Sequence, residues 1–296
     1  MQNYIYSDLA LEGAYTKRPN IRNEPEFCEE VIGNIKISKL CINTKELSKI
    51  YEKAIGTYVT LTSKKIWLMH EDELENMAEI IGNEIFKMMR ELLPQKELND
   101  MSVLVVGLGN SDITPDAIGP LTVSHLTVTR HIATLDPKLF SKIGQCAVSA
   151  FIPGVLAQTG IETLELIRGA VQNISPDIVI AVDALAARSC ERLAATVQLS
   201  DAGITPGSGI GNTRKAINKK NLGIPVIALG VPTVVDSATL VYDSLEKAGI
   251  EELTPQLQKV LKNGRGFFVS PKECDVISDS VGLLLARSLD RAFCVF

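Results

Sequence analysis

The alternation of apolar and polar side chains predicts one long helix and two strands in the first hundred residues. Between residues 70 and 93 apolar side chains recur every three or four positions and a proline follows, which is typical of an amphipathic helix. Residues 32–42 and 56–62 alternate in steps of two, and that period indicates half-buried strands. Segment 17–25, rich in proline and polar residues, is expected to be extended and exposed.

From residue 102 onward, strand and helix patterns alternate. Runs of β-branched and other apolar residues predict buried strands at 103–107, 145–151, 177–183, 195–199, 225–230 and 267–269. Helical patterns lie between and after them, at 115–131, 160–173, 236–248 and 271–292. Ser270, Pro271 and Glu273 resemble a capped start for the last helix. This order predicts an α/β fold, with a mostly parallel sheet and helices on both faces.

Two of the predicted strands lead to an aspartate. Asp116 follows the strand at 103–107 in the first turn of a helix, and Asp183 ends the strand at 177–183. Sites in open α/β sheets form at the carboxyl ends of strands, so the two side chains are expected to meet there. A carboxylate pair of this kind can share one proton and carry out acid–base chemistry on water. Taken alone, Asp116 is also explained as a charge that stabilises the start of a helix.

Glycine-rich turns allow more than one interpretation. Residues 107–110 resemble the start of a dinucleotide-binding fingerprint, but its third glycine and its later acidic residue are missing. The loop 201–214 holds several glycines and a proline. Its backbone amides could bind an anion or an oxyanion, or pair with the main chain of an extended peptide. A purely structural loop is the remaining alternative.

Composition excludes several classes of protein. The net charge is −5 without a basic stripe, which argues against nucleic-acid binding. No apolar stretch is long enough to span a membrane, and the first residues lack the features of a secretory signal. The six cysteines are scattered, which indicates reduced thiols in a cytoplasm. The three histidines lack zinc-ligand spacing, so neither a metal nor another cofactor is predicted, although carboxylates distant in sequence leave a metal site open.

Five ordered parts of the chain share motifs with one known family. They include Tyr-Ser-Asp-Leu-Ala-Leu-Glu at 6–12, the glycine turn and Thr-Pro-Asp-Ala-Ile-Gly-Pro within 105–120, and the segments 183–212, 223–236 and 269–273. Together they resemble the spore germination proteases, endopeptidases that degrade small acid-soluble spore proteins. The resemblance covers nearly the whole chain. This chain departs from the family in looking shorter between 240 and 267, and in having Ser111 and Asp112 where an aromatic residue and an asparagine are expected.

The resemblance implies a hydrogenase-maturation-protease-like (phosphorylase/hydrolase-like) fold, a homotetramer, a spore-core location in the cytoplasm and synthesis as a zymogen. It implies an atypical aspartic endopeptidase whose catalytic pair matches Asp116 and Asp183. Autoprocessing is expected between Asp8 and Leu9, which would make residues 1–8 a short propeptide and residues 9–296 a single peptidase domain with an N-terminal elaboration to about residue 100.

The hypothesis is therefore peptide hydrolysis by the aspartate pair after acidic residues. The substrate-binding candidates come from the glycine loop and from nearby arginines that could pair with an acidic side chain: Arg188, Gly207, Ser208, Gly209 and Arg214. One alternative is a metal-dependent peptidase using the same carboxylates. Another is a non-catalytic protein that binds a nucleotide or a protein partner.

Overall fold

The computed structural model describes residues 6–143, 145–207, 214–250, 253–263 and 266–294. Its strands form one nine-stranded sheet. In chain order they are β1 (Phe27–Ile32), β2 (Ile35–Ile42), β3 (Gly56–Thr62), β4 (Ser102–Gly107), β5 (Ala147–Phe151), β6 (Ile178–Ala187), β7 (Thr196–Ser200), β8 (Val226–Asp236) and β9 (Phe268–Val269).

The sheet has a parallel half and an antiparallel half. Strands β8, β6, β4 and β5 are parallel neighbours in that order. On the other side of β8 lies β7, followed by β3, β2 and β1, all paired antiparallel, and β9 pairs antiparallel with β8. The predicted α/β class is confirmed. The sheet is mixed rather than mostly parallel, because the N-terminal strands join it through β7.

Helices cover both faces of this sheet. They are α1 (Ala10–Lys17), α2 (Lys45–Tyr51), α3 (Glu71–Leu92), α4 (Ile118–His125), α5 (Arg130–Leu135), α6 (Pro137–Ile143), α7 (Leu156–Thr159), α8 (Thr163–Ile174), α9 (Lys219–Leu222), α10 (Ser237–Lys247), α11 (Pro255–Asn263) and α12 (Cys274–Ala292). Among the described residues, no helix is both long and apolar enough to cross a lipid bilayer.

Alternate residues of the parallel strands enter two different hydrophobic clusters. Val103 and Val105 of β4 lie in the cluster that contains buried residues of α3 and α12. Leu104 and Val106 lie in the cluster on the opposite face, with buried residues of α8. Since both faces are covered, these strands are apolar at nearly every position, which is why their positions could be predicted.

The predicted helix 115–131 is divided in the structure. A 3-10 turn at Thr114–Asp116 comes first, then α4 and, after a break, α5. At the break the Thr129 hydroxyl donates to the carbonyl oxygen of Cys146 at 2.6 Å and accepts from the Val148 N–H at 2.9 Å. These bonds tie the chain to the start of β5, so a tertiary contact overrides the helical pattern.

The predicted start of the last helix was also wrong by one turn. Helix α12 begins at Cys274, and its N-cap residue, Glu273, makes no side-chain capping bond. The Ser270 cap and its capping box are therefore not formed.

The N-terminal region contains more regular structure than the sequence predicted. The single strand expected at 32–42 is a hairpin of β1 and β2, and α1 was not predicted. Ala10, Leu11 and Ala14 of α1 are buried in a cluster with residues of β2 and α2. With only three buried apolar residues in this cluster, the short helix α1 has too weak a hydrophobic period to be predicted from sequence.

Candidate active site

Asp116 lies in the turn that connects β4 to α4. Gly109 in this turn has a φ of +111°, and a Cβ built there would lie 2.0 Å from the carbonyl oxygen of Asp116. The chain can approach itself this closely only with glycine at that position. The Asn110 N–H donates a 2.8 Å hydrogen bond to Asp116 Oδ2. The turn thus fixes both the backbone and the carboxylate of Asp116.

Two hydroxyl groups from distant elements hold the same turn. Thr233 Oγ1 on β8 donates to the Pro115 carbonyl oxygen at 2.7 Å, and Ser278 Oγ on α12 donates to that of Thr114 at 2.8 Å. The partners are 118 and 164 residues apart in the chain. Sequence reasoning missed both hydroxyls, because neither belongs to a local motif.

Asp183 lies inside β6 and not at its end. The strand was predicted to stop here, but it continues to Ala187 and pairs with β8 along this extension. The neighbouring strand β4 ends at Gly107, opposite Val182, so its pairing stops one residue before Asp183. Asp183 is 5% exposed, and the Ala184 N–H donates to its Oδ1 at 3.0 Å.

One cavity of about 320 Å³ is lined by both aspartates. Asp8, Gly207 and Arg214 also line it. The structure thus brings the predicted pair together with a predicted glycine, a predicted arginine and the acidic residue of the predicted processing site.

Burial makes both carboxyl groups harder to ionise. Desolvation raises the pKa of Asp183 well above its ordinary value, and the negative charges of Asp116 and Asp8 raise it further. Desolvation also raises the pKa of Asp116, but the Asn110 N–H and the positive charge of Arg214 oppose that effect. The two carboxyls therefore titrate as a coupled pair that holds one proton more tightly than ordinary aspartates do, and the deeper burial of Asp183 favours the proton on that residue.

The segment that precedes α1 runs along the extension of β6. The Asp8 N–H donates to the Ala186 carbonyl oxygen, and the Ala186 N–H donates to Asp8 Oδ2, both at 2.8 Å. Leu9 is fully buried in a cluster that includes Leu185. The residues of the predicted processing site therefore lie next to the aspartate cavity.

Glu12 anchors this segment from within α1. Its carboxylate accepts hydrogen bonds from the backbone N–H groups of Arg188 at 2.7 Å and Ser189 at 3.1 Å. Since Glu12 is buried, these bonds satisfy its charge inside the protein.

Comparisons with known proteins give the family. The family model described as germination protease matches residues 16–248. This chain belongs to the germination protease family. A germination protease of Caldanaerobacter subterraneus is 38% identical, with 97% of this chain and 94% of that protein covered. That of Clostridium acetobutylicum is 36% identical, with coverages of 98% and 95%. That of Priestia megaterium is 43% identical, with coverages of 83% and 67%.

The chain is accordingly a peptidase that acts on a protein substrate. Among solved structures, a crystal structure of a NiFe hydrogenase maturation protease from Thermococcus kodakarensis is similar over 69% of this chain and 99% of its own. The TM-score of this match is 0.34 and the sequence identity is 15%.

Arg188 does not line the cavity of this germination protease family member. Its guanidinium forms ion pairs with Asp243 and Glu246 on α10, and donates to Thr16 Oγ1 at 3.1 Å. Of the two arginines predicted to bind substrate, Arg214 is the one at the cavity. The other predicted loop positions, Ser208 and Gly209, lie outside the described residues.

Asp112, the additional carboxylate of the β4–α4 turn, also lies away from the cavity lining. It is exposed, and its Oδ2 accepts a 3.1 Å hydrogen bond from Gln158 Nε2. Within the part of the chain that the structure describes, no group of three or more His, Cys, Asp and Glu side chains could hold a metal ion.

Proposed function

We propose that the chain is an endopeptidase that cleaves small acid-soluble spore proteins during germination, with Asp116 and Asp183 as its catalytic groups. The observation that carries this proposal is the cavity in which both carboxyls lie, one of them buried with a strongly raised pKa. Carboxyl pairs with one shared proton can activate water and protonate a leaving group. The germination protease relatives support the protein substrate and the biological setting.

The favoured position of the shared proton assigns the roles. Asp116, as the ionised member, takes a proton from the attacking water, and Asp183 gives its proton to the leaving nitrogen. Arg214 lines the same cavity and favours the ionised state of Asp116. It is also the candidate partner for an acidic substrate side chain.

The same arrangement supports self-processing at the bond between Asp8 and Leu9. Asp8 lines the cavity, and its charge acts on Asp183. An acidic residue before the scissile bond is therefore accommodated beside the catalytic pair. In this proposal residues 1–8 are a propeptide, and the zymogen form, the homotetramer and the spore-core location follow from the family resemblance.

The rate of cleavage is expected to show a bell-shaped dependence on pH. It rises as Asp116 loses its proton and falls as Asp183 loses its own. Since the pKa of each carboxyl is raised, both limbs are expected at higher pH than for ordinary aspartates. Profiles of kcat/KM against pH measure this. Arg214→Gln should move both limbs to still higher pH, because Arg214 lowers both pKa values; unmoved limbs would contradict the assignment.

Incubation of the purified chain with a small acid-soluble spore protein tests the proposed function. Mass spectrometry is expected to show cuts after acidic residues, and N-terminal sequencing a new terminus at Leu9. Activity lost with a chelator and restored by a divalent ion would favour the metal-dependent alternative. An intact substrate together with saturable binding of a nucleotide or protein would favour the non-catalytic one.

A further inference from the structure

Lys53 contacts the N-terminal segment of the chain beside the proposed catalytic cavity. It follows α2 in the turn to β3, and its Nζ donates 3.0 Å hydrogen bonds to the carbonyl oxygens of Ser7 and Asp8. The carbonyl of Asp8 belongs to the bond with Leu9. The ammonium group of Lys53 is therefore hydrogen-bonded to the carbonyl oxygen of the Asp8–Leu9 bond, where we propose cleavage.

Two side-chain hydrogen bonds fix the turn that carries Lys53. Ser48 Oγ donates to the Lys53 carbonyl oxygen at 2.7 Å, and Tyr58 Oη donates to that of Ala54 at 2.9 Å. Glu52, with a φ of 54°, ends α2 in the left-handed region. A donor held in place in this way needs little reorganisation when charge develops on its partner.

Gln198 contacts the same carbonyl from the sheet. It is buried on β7, its Nε2 donates to the Asp8 carbonyl oxygen at 3.3 Å, and its Oε1 accepts from the Ala10 N–H at 2.7 Å. The Ala10 bond requires an oxygen at that position and so fixes the orientation of the amide. Gln198 thus binds the main chain on both sides of Leu9.

The sheet register places Gln198 near Asp183. Asp183 from β6 and Gln198 from β7 both pair with Gly230 of β8. Their neighbours Val182 and Val197 lie in the cluster with α3 and α12, so Asp183 and Gln198 face the other side. Two strand spacings, about 10 Å, separate their backbones, and the Leu185 side chain lies over the intervening Gly230.

Burial and nearby carboxylates act on Lys53 in opposite directions. Burial is the larger effect and lowers the pKa of Lys53 below its ordinary value, while the negative charges of Asp8, Glu12 and Glu52 oppose that effect in part. A cavity lined by Lys53 and Gln198 shares Asp8 with the cavity of the aspartate pair. The peptide at Asp8 therefore lies between the ammonium group and the aspartates.

We propose that Lys53 is a further catalytic residue, which together with the Gln198 amide stabilises the oxyanion formed at the carbonyl before the cut. This inference rests on the proposed function, because it takes the Asp8–Leu9 bond as a bond that the site cleaves. Lys53 Nζ and Gln198 Nε2 both donate hydrogen bonds to the Asp8 carbonyl oxygen. Asp183 is then left to protonate the leaving nitrogen.

In this reaction water is consumed and no other reactant is needed. The water oxygen bonds to the carbonyl carbon, its proton moves to Asp116, and the carbonyl electron pair moves to the oxygen bound by Lys53 and Gln198. As that pair returns, the carbon–nitrogen bond breaks and Asp183 gives its proton to the nitrogen. Proton exchange between Asp116 and Asp183 restores the starting state.

Lys53→Met tests the inference, because it keeps the unbranched stem of the lysine side chain and removes the ammonium group at its end. Cleavage of the Asp8–Leu9 bond in the full chain, and of a peptide of residues 1–16, is expected to slow by about 100- to 1,000-fold. The control is Lys49→Met, which removes an exposed lysine from α2 in the same region and should leave both rates unchanged. Hydrogen exchange of the amides in α1 shows whether the N-terminal segment stays docked.

A slow variant with unchanged exchange protection in α1 supports the inference. Two results overturn it: a Lys53→Met rate equal to that of the unmodified chain, or a loss of rate together with a loss of protection in α1, which indicates a structural role. If the unmodified chain cleaves neither its own bond nor the peptide, the proposed function fails as well. The experiment thus distinguishes a failure of the Lys53 inference from a failure of the proposed function.

Discussion

Replacing Asp183 with asparagine is expected to slow peptide cleavage by about 10²- to 10⁴-fold, the usual range for loss of a general acid. The asparagine side chain would have nearly the shape of the protonated carboxyl but no proton to give to the leaving nitrogen. Asp116→Asn is expected to slow cleavage as well, because it removes the group proposed to accept a proton from water. Rates of hydrolysis of a spore-protein substrate, measured with each variant at the pH optimum, check this expectation.

The folded state of the Asp183→Asn variant should survive. An aspartate whose pKa is raised by folding costs stability as pH rises from its unfolded pKa through its folded pKa, and asparagine removes that cost. The variant is therefore expected to be at least as stable as the unmodified chain at neutral pH, as urea unfolding would show. The matched control is Asp112→Asn, an exposed carboxylate in the turn that carries Asp116. Normal activity of Asp183→Asn, or a similar loss in the control, would contradict the dyad.

The parallel strands could be predicted because a strand that is buried on both faces is apolar at nearly every position. Every residue from Val103 to Val106 enters a hydrophobic cluster, so β4 is recognisable without knowledge of its neighbours. The end of β6 was predicted too early. Asp183 interrupts the apolar run, yet pairing with β8 continues for four more residues to Ala187.

The rest of the site depends on contacts that one sequence does not display. Lys53 and Gln198 reach Asp8 from positions 45 and 190 residues away. Neither belongs to a motif, and a lysine beside a helix end is more often a solvated charge. Arg188 is the reverse case. It was predicted to pair with an acidic side chain of the substrate, but carboxylates of α10 bind its guanidinium in the structure.

These contacts link the N-terminal segment to the cavity lined by Asp116 and Asp183. Asp8 bonds to the extension of β6, while Glu12 bonds to the backbone just beyond that strand. Asp183 therefore lies where this extension of β6 begins. The segment with the proposed processing site lies alongside the residues that follow Asp183 in the strand. The continuation of β6 past Asp183 is therefore what brings the proposed scissile bond to the aspartates.

Gly109→Ala is expected to lower both the stability of the fold and the rate of cleavage. The alanine would need a φ near +111° and would place its Cβ 2.0 Å from the Asp116 carbonyl oxygen. Left-handed backbone costs about 1–2 kcal/mol for such a residue, and overpacking adds about 1–3 kcal/mol. The free energy of unfolding in urea should thus fall by roughly 2–5 kcal/mol. The matched control is Gly160→Ala, because Gly160 has a φ of +70° but nothing within 4 Å of the added Cβ. It should cost about 1–2 kcal/mol and leave activity unchanged.

The clash at Gly109 can be relieved only by moving the turn that holds Asp116, since Thr233 and Ser278 fix its other side. A displacement of about 1 Å in a catalytic group can cost on the order of 100-fold in rate. The folded fraction of Gly109→Ala should therefore cleave its substrate about 100-fold more slowly, while Gly160→Ala cleaves at the normal rate. Equal losses of stability in the two variants would mean that the close approach at Gly109 is not a constraint. A destabilised Gly109→Ala with full activity would mean that catalysis does not depend on where this turn places Asp116.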